Sequence, residues 1–112
     1  MHPEQKNDIS YNEDFVTYLN NLVSILYEQD YFGFIESAKK YTSDIIDFIK
    51  RNISQKPHYP APEYFSKYEP GMKYITYRAN KSTTWYIFFK QRENRFFIYY
   101  ITNNHFEGQY IR

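Results

Sequence analysis

Residues 71–106 read GMKYITYRANKSTTWYIFFKQRENRFFIYYITNNHF. Three runs rich in β-branched and aromatic residues, over about 72–79, 83–91 and 95–103, are separated by the short polar clusters N-K-S and R-E-N. Such runs with polar breaks predict a three-stranded antiparallel meander. Because a sheet of this size needs an apolar layer on at least one face, we expect another part of the chain to cover it.

The first half of the chain is expected to supply that layer. Apolar residues recur at helical spacing in two stretches within about residues 11–53, which predicts two helices. Ser10 and Glu13 have the spacing of a capping box at the start of the first helix. We expect this helix to end near Tyr31, followed by Gly33, and the second to fold back on it as an antiparallel hairpin.

A proline-rich stretch follows the helices. Pro57, Pro60 and Pro62 exclude a helix and a central strand, so residues 56–70 are expected to form a stiff connector. The whole chain, 1–112, is predicted to be one α+β domain. In it, an N-terminal antiparallel helical hairpin packs on one face of a C-terminal three-stranded antiparallel sheet at about 72–104. A short N-terminal strand that makes the sheet four-stranded is the alternative.

Alternation along the predicted strands divides the sheet into two faces. One set contains no charge and is assigned to the helices: Ile75, Tyr77, Trp85, Ile87 and Phe89. The other set mixes tyrosines with cations: Tyr74, Thr76, Arg78, Tyr86 and Lys90. We expect this second face to be open to solvent.

Composition limits the function classes. The 112 residues suffice for one core and include no cysteine, which excludes disulfides and thiolate metal sites. No signal-peptide pattern and no apolar run of membrane-spanning length is present, so a cytoplasmic protein without a membrane partner is expected. Residues 1–55 carry a net charge of −4 and residues 56–112 a net charge of +5. The sheet half therefore suits an anionic partner, unless the split is a chance one.

One polar cluster has side chains suited to catalysis or to binding a substrate. The common phosphate-loop, zinc-protease and serine-hydrolase motifs are absent, and the three histidines are not spaced as a metal trio, so neither a metal nor a cofactor is predicted. Asn103, Asn104 and His105 directly follow the last predicted strand. A histidine there can act as general acid or base, and the amides can hold a phosphate, a sugar or a base edge. The alternative is a plain turn, in which asparagine is common.

Several cations accompany this cluster on or near the predicted hairpins: Arg78, Lys81, Lys90, Arg92 and Arg95. They suit contacts with phosphate groups. Equally, they are charges that keep an exposed sheet edge soluble.

The order helix, helix, proline-rich connector, meander and N-N-H resembles the RelE/ParE superfamily of type II toxins. The resemblance covers roughly residues 8–105 and rests on KPHYPAPEYF (56–65), GMKY (71–74), TTWYIFF (83–89) and NNH (103–105). It implies a small cytoplasmic bacterial toxin that a cognate antitoxin neutralises. The RelE-like branch cleaves messenger RNA on the ribosome, and the ParE-like branch inhibits DNA gyrase.

The resemblance also implies site residues. In the ribonuclease branch, the open sheet face carries Lys or Glu on the first meander strand, Arg on the second, and a basic residue or a His–Tyr pair after the third. The corresponding places here hold Tyr74 and Thr76, then Tyr86, then His105 and Phe106. An endoribonuclease of this type would use His105 as acid or base, Arg78 as the cation and Tyr86 for the remaining proton transfer. Its substrate-binding residues would be Lys73, Lys81, Lys90, Asn103 and Asn104.

Two other functions are compatible with the same residues. One is a ParE-like, non-enzymatic inhibitor of gyrase, and the other is a non-toxic interaction domain of the same fold. The expected partners are the antitoxin and either mRNA on the ribosome or gyrase. A homodimer is left open.

Overall fold

The computed structural model describes residues 7–28 and 35–111. Their helices and strands follow one another in this order: β1 (Asp8–Tyr11), α1 (Phe15–Glu28), α2 (Ile35–Asn52), β2 (Tyr59–Pro60), a 3₁₀ helix (Glu63–Lys67), β3 (Lys73–Arg78), β4 (Thr84–Arg92), β5 (Arg95–Asn103), α3 (Asn104–Glu107) and a second 3₁₀ helix (Gly108–Tyr110). The α+β class is confirmed, and the three predicted meander strands are β3, β4 and β5. The predicted turn at Gly33 and the predicted helix end at Tyr31 lie outside the described residues.

The sheet has five strands in the order β1-β5-β4-β3-β2. β1 pairs parallel with β5, whereas the remaining pairs are antiparallel. The predicted three-stranded antiparallel sheet with an N-terminal helical hairpin is therefore wrong, because a strand precedes the helices and the sheet is mixed. The N-terminal strand of the alternative is present as β1, but it pairs parallel, and β2 makes the sheet five-stranded rather than four-stranded. A parallel pair needs a long crossover, and residues 12–94 provide it here.

The start of the first helix differs from the prediction. Ser10 belongs to β1 and pairs with Phe97, so it does not cap α1. Asn12 instead forms a turn just before the helix: its side-chain oxygen accepts from the backbone N–H of Asp14 at 2.9 Å, and its carbonyl accepts from Phe15 N at 2.8 Å. Asparagine commonly forms such local turns.

The helix-facing side of the sheet carries the larger core. Phe15 and Leu19 of α1 and Ile45 and Ile49 of α2 are buried against it. The strands contribute the predicted set and three further residues of β5: Ile75, Trp85, Ile87, Phe89, Phe96, Ile98 and Ile101. Tyr77 packs at the margin of this core. The assignment of this face to the helices is confirmed.

The opposite side, called here the far face, has a second core. Phe65 of the 3₁₀ helix and Met72 are buried there against Phe88 and Tyr100. Gly71 adopts φ 74°, a conformation that glycine takes without strain, and turns the chain from this cover into β3. The expectation that the far face is open is therefore wrong at its centre. The connector carries apolar side chains of its own, and these require burial as much as the helices do.

None of the helices that the described residues form is long and apolar enough to cross a membrane.

Candidate functional site

The β3–β4 turn is a tightly hydrogen-bonded loop. The side-chain oxygen of Asn80 accepts from Ser82 N at 2.9 Å, from Ser82 Oγ at 3.0 Å and from Thr83 N at 3.0 Å. The guanidinium group of Arg78 donates to the carbonyls of Asn80 at 3.3 Å and Lys81 at 3.2 Å. Arg78 is exposed, but these bonds orient its guanidinium toward the turn.

Asn103 and Asn104 link the end of β5 to this turn. Asn103 is fully buried, and its Oδ1 accepts from the backbone N–H groups of His105 at 2.9 Å and Phe106 at 3.2 Å. It therefore caps α3. Asn104 Oδ1 accepts from Thr84 N at 2.8 Å, and its Nδ2 donates to Ser82 O at 2.9 Å. Both amides hold the backbone around His105, and their predicted contact with a substrate stays a prediction.

His105 is exposed and fixed through its ring. Its Nε2 lies 2.8 Å from Thr83 Oγ1, and Thr83 itself is only 2% exposed. Thr83 also hydrogen-bonds to Tyr41 of α2, whose hydroxyl accepts from Trp85 Nε1 at 2.9 Å. This chain of contacts places the imidazole on the helix-facing side of the sheet end.

Arg78 and Tyr86 lie on the far face. Arg78 is paired with Thr84, and Tyr86 with Thr76, on the side that also bears Phe88. Tyr86 is half-buried, with its ring centroid 5.9 Å from that of Tyr74. The three residues predicted to be catalytic therefore approach the same end of the sheet from two sides. The β3–β4 turn is the edge between them.

The predicted substrate-binding lysines separate into two places. Lys81 lies in the β3–β4 turn and is exposed. Lys73 and Lys90 lie at the other end of their strands, where they line a cleft of about 180 Å³. Lys90 is in an ion pair with Glu69 at 2.9 Å. Because each strand residue advances the chain by about 3.3 Å, the five steps from Lys73 to Arg78 separate the two ends by roughly 17 Å.

The set that the structure brings together is called here the hairpin-end cluster. It comprises Arg78, Asn80, Lys81, Thr83, Asn103, Asn104 and His105. Asn80 and Thr83 were missed in the sequence. The signal for Asn80 was present, because asparagine at the start of N-K-S is typical of a side-chain-capped turn. Thr83 and its neighbour Tyr41 had no signal, since they meet across 42 positions of sequence.

A second set of interacting polar side chains, three tyrosines and one glutamate, lies within the far-face core. The hydroxyls of Tyr18 and Tyr100 are 2.6 Å apart, and Tyr100 donates to the Glu107 carboxylate. The ring of Tyr68 stacks on Tyr100 with centroids 3.8 Å apart. Burial raises the pKa of Tyr100, and its hydrogen bonds to Glu107, Tyr18 and Tyr68 raise it further. Burial likewise raises the pKa of Tyr18.

Alkaline pH is expected to destabilise the protein. Above a pH of about 10, the unfolded chain releases its tyrosine protons, whereas the folded chain retains those of Tyr18 and Tyr100 because burial raises their pKa. The free energy of unfolding then falls by up to about 1.4 kcal/mol per pH unit for each such tyrosine. Thermal melts at stepwise higher pH should show this fall, and Tyr100→Phe should make it shallower. A melting temperature that stays level through this range would contradict the prediction.

No protein-family model, no curated protein and no solved structure matches the chain. The function is therefore inferred from the arrangement of its own residues.

Proposed function

We propose that this protein is the toxin component of a bacterial type II toxin–antitoxin system, and that it cleaves messenger RNA on the ribosome in the manner of RelE. The observation that carries the proposal is the exposed imidazole of His105, which Thr83 holds at 2.8 Å at the sheet end that also bears Arg78 and Lys81. The order of elements supports it as well, since two helices, a connector and a meander precede the N-N-H cluster.

The chemistry that this cluster offers is transesterification of RNA. A base takes the proton of the 2′-hydroxyl, an acid protonates the leaving 5′-oxygen, and a cation stabilises the charge that develops on the phosphate. His105 serves as the base or the acid, and Arg78 and Lys81 serve as cations. Tyr86 is the remaining candidate for proton transfer. Because His105 and Arg78 lie on two sides of the sheet end, the RNA strand would cross the β3–β4 turn.

A second candidate function is the ParE-like inhibition of DNA gyrase without catalysis. The observation that favours it is the separation of His105 from Arg78 and Tyr86 by the sheet edge. A binder needs no reacting group, so its toxicity would survive the loss of His105. Inhibition of supercoiling by the purified protein would support this candidate, and normal supercoiling in its presence would eliminate it.

Induced expression in a bacterial host without an antitoxin tests the first proposal. Wild-type protein is expected to arrest growth and to leave cut transcripts. His105→Ala is expected to remove both effects, since no other imidazole belongs to the hairpin-end cluster. The variant must accumulate to the wild-type level and melt at a similar temperature, because His105 also contacts Thr83. Undiminished growth arrest by such a folded variant would contradict the assignment.

A matched pair of lysines tests the location of the site. Lys81→Ala and Lys73→Ala remove the same charge from exposed positions. Lys81 lies in the hairpin-end cluster, whereas Lys73 lies at the far end of β3, so only the first substitution is expected to weaken toxicity strongly. Equal effects of the two would mean that net charge matters, and that the hairpin end is not the contact site.

A further inference from the structure

A cavity of about 220 Å³ lies away from the hairpin-end cluster, beside the start of α1. Its walls are mostly aromatic: Phe15, Tyr18, Tyr68, Tyr99 and Tyr100, completed by Asn12 and Asp14. Phe15 and Tyr100 are buried, whereas Tyr68 is 40% exposed and stands at the surface. The cavity is smaller than the pockets of about 300–1,000 Å³ that hold drug-sized ligands. Its size suits a single side chain or a short aliphatic group.

Two polar groups that line this cavity, the Tyr18 hydroxyl and the Asp14 carboxylate, are set to accept hydrogen bonds. Tyr100 gives its one hydroxyl proton to the Glu107 carboxylate, so it must receive the proton of Tyr18 across their 2.6 Å contact. The hydroxyl oxygen of Tyr18 can therefore only accept a hydrogen bond from any further neighbour. Asp14 adds a carboxylate, which only accepts when ionised. A ligand that bonds to both of these groups must therefore donate.

The charges of the residues that line the cavity favour a cation as its ligand. Among the described residues that line the cavity, none is Lys, Arg or His, and Asp14 carries the only formal charge. Aromatic rings attract ammonium groups through their negative faces. Tyr68, one of the walls, and the nearby Tyr64 already face a cation of the chain itself, since the Lys67 ammonium lies 5.4 Å from the Tyr68 ring centroid and 3.9 Å from that of Tyr64.

We propose that this cavity is a binding site for a primary alkylammonium group, which donates to Asp14 and Tyr18 while its carbon chain packs on the aromatic walls. Such a group has two sources, a free aliphatic amine and the lysine side chain of a partner peptide. The site does not depend on the proposed ribonuclease activity, because it shares no residue with the hairpin-end cluster.

The test is a titration of the full-length protein with n-butylammonium, followed by amide NMR shifts. Saturable shifts are expected at residues 12–18 and at Tyr99 and Tyr100. n-Butanol, which has the same carbon chain and no charge, is expected to bind at least about tenfold more weakly. Saturation by butanol at the same concentrations, or no saturable shift with the amine, would overturn the proposal.

Two pairs of variants locate the binding groups. Asp14→Asn is expected to lower the affinity for butylammonium about tenfold, whereas Asp47→Asn, which removes the same charge from an exposed position on α2, is expected to leave it unchanged. Tyr18→Phe removes the acceptor oxygen and keeps the ring, so it should weaken binding several-fold, and Tyr59→Phe is its control. Unchanged affinity in Asp14→Asn, or equal losses in Asp14→Asn and Asp47→Asn, would refute the site.

The source of the ammonium group is distinguished in the same assay. A short peptide with one central lysine is compared with the same peptide carrying norleucine and with butylammonium. Tighter binding of the lysine peptide than of butylammonium assigns the site to a partner protein, and weaker binding assigns it to a free amine. Binding of the norleucine peptide as tight as that of the lysine peptide would overturn the proposal, since charge would then play no part.

Discussion

Phe65→Ala is expected to lower the free energy of unfolding by about 3–5 kcal/mol, the usual cost of deleting a buried aromatic side chain. The ring of Phe65 is fully buried in the connector, with its centroid 4.5 Å from that of Phe88 and 6.1 Å from that of Tyr100. Its loss leaves a void between the connector and the sheet that neighbouring rings fill only in part. Urea unfolding followed by circular dichroism measures the change.

Phe97→Ala is the matched control for this prediction. Phe97 lies on β5 near the same face, but it is 42% exposed, so its removal should cost only about 1 kcal/mol. A small effect of Phe65→Ala, similar to that of Phe97→Ala, would mean that residues 61–72 do not cover the far face in solution. The far face would then be open, as the sequence alone predicts.

If the protein cleaves RNA as proposed, His105→Ala is expected to lower the rate of that cleavage by about 10²–10⁴-fold, the usual contribution of one general acid or base. The loss should fall mainly on the maximal rate, because the cations proposed to contact phosphate remain. Thr83→Val removes the hydroxyl that holds the ring at 2.8 Å while keeping the shape of the side chain. It should reduce the maximal rate less than His105→Ala and leave substrate binding nearly unchanged.

Arg78→Ala is expected to change the kinetics differently from His105→Ala. Arg78 is proposed to act on the phosphate, so its loss should weaken both binding and the maximal rate. If His105→Ala and Arg78→Ala both retain wild-type cleavage, the hairpin-end cluster is not the active site. If the variants cleave RNA normally but melt at a lower temperature, these residues have only a structural role.

Much of the fold follows from local pattern. The β3, β4 and β5 strands lie close to the predicted runs because β-branched and aromatic residues alternate between polar breaks. The charge-free set around Trp85 and Ile87 faces the helices, as alternation requires. These features depend on neighbours in sequence, so the sequence alone reveals them.

The errors in the fold come from long-range pairing. The partner of β1 is β5, and Asp8 pairs with Arg95 across most of the chain. Four residues of mixed polarity carry no local signal of a parallel partner. The cover of the far face was missed for a related reason. The prolines at 57, 60 and 62 indicate an extended connector, but they do not reveal that Phe65 and Met72 turn inward onto the sheet.

The candidate site likewise combines features that follow from neighbours in sequence with features that depend on long-range packing. The proximity of Asn103 and Asn104 to His105 follows from adjacency, and the structure adds what their amides bind. The hydrogen bonds of Thr83 to His105 and of Thr84 N to Asn104 depend on how the β3–β4 turn meets the end of β5. Such contacts form only when the whole chain is packed, so no local pattern in the sequence predicts them.

The chemistry of the cut RNA ends tests the central claim most directly. The purified protein is added to ribosomes programmed with a defined mRNA, and the product ends are analysed. Attack by the 2′-hydroxyl predicts a 2′,3′-cyclic phosphate and a 5′-hydroxyl end with wild-type protein, and almost no product with His105→Ala. Intact mRNA with wild-type protein, 5′-phosphate ends, or the same products at the same rate from His105→Ala would contradict the account.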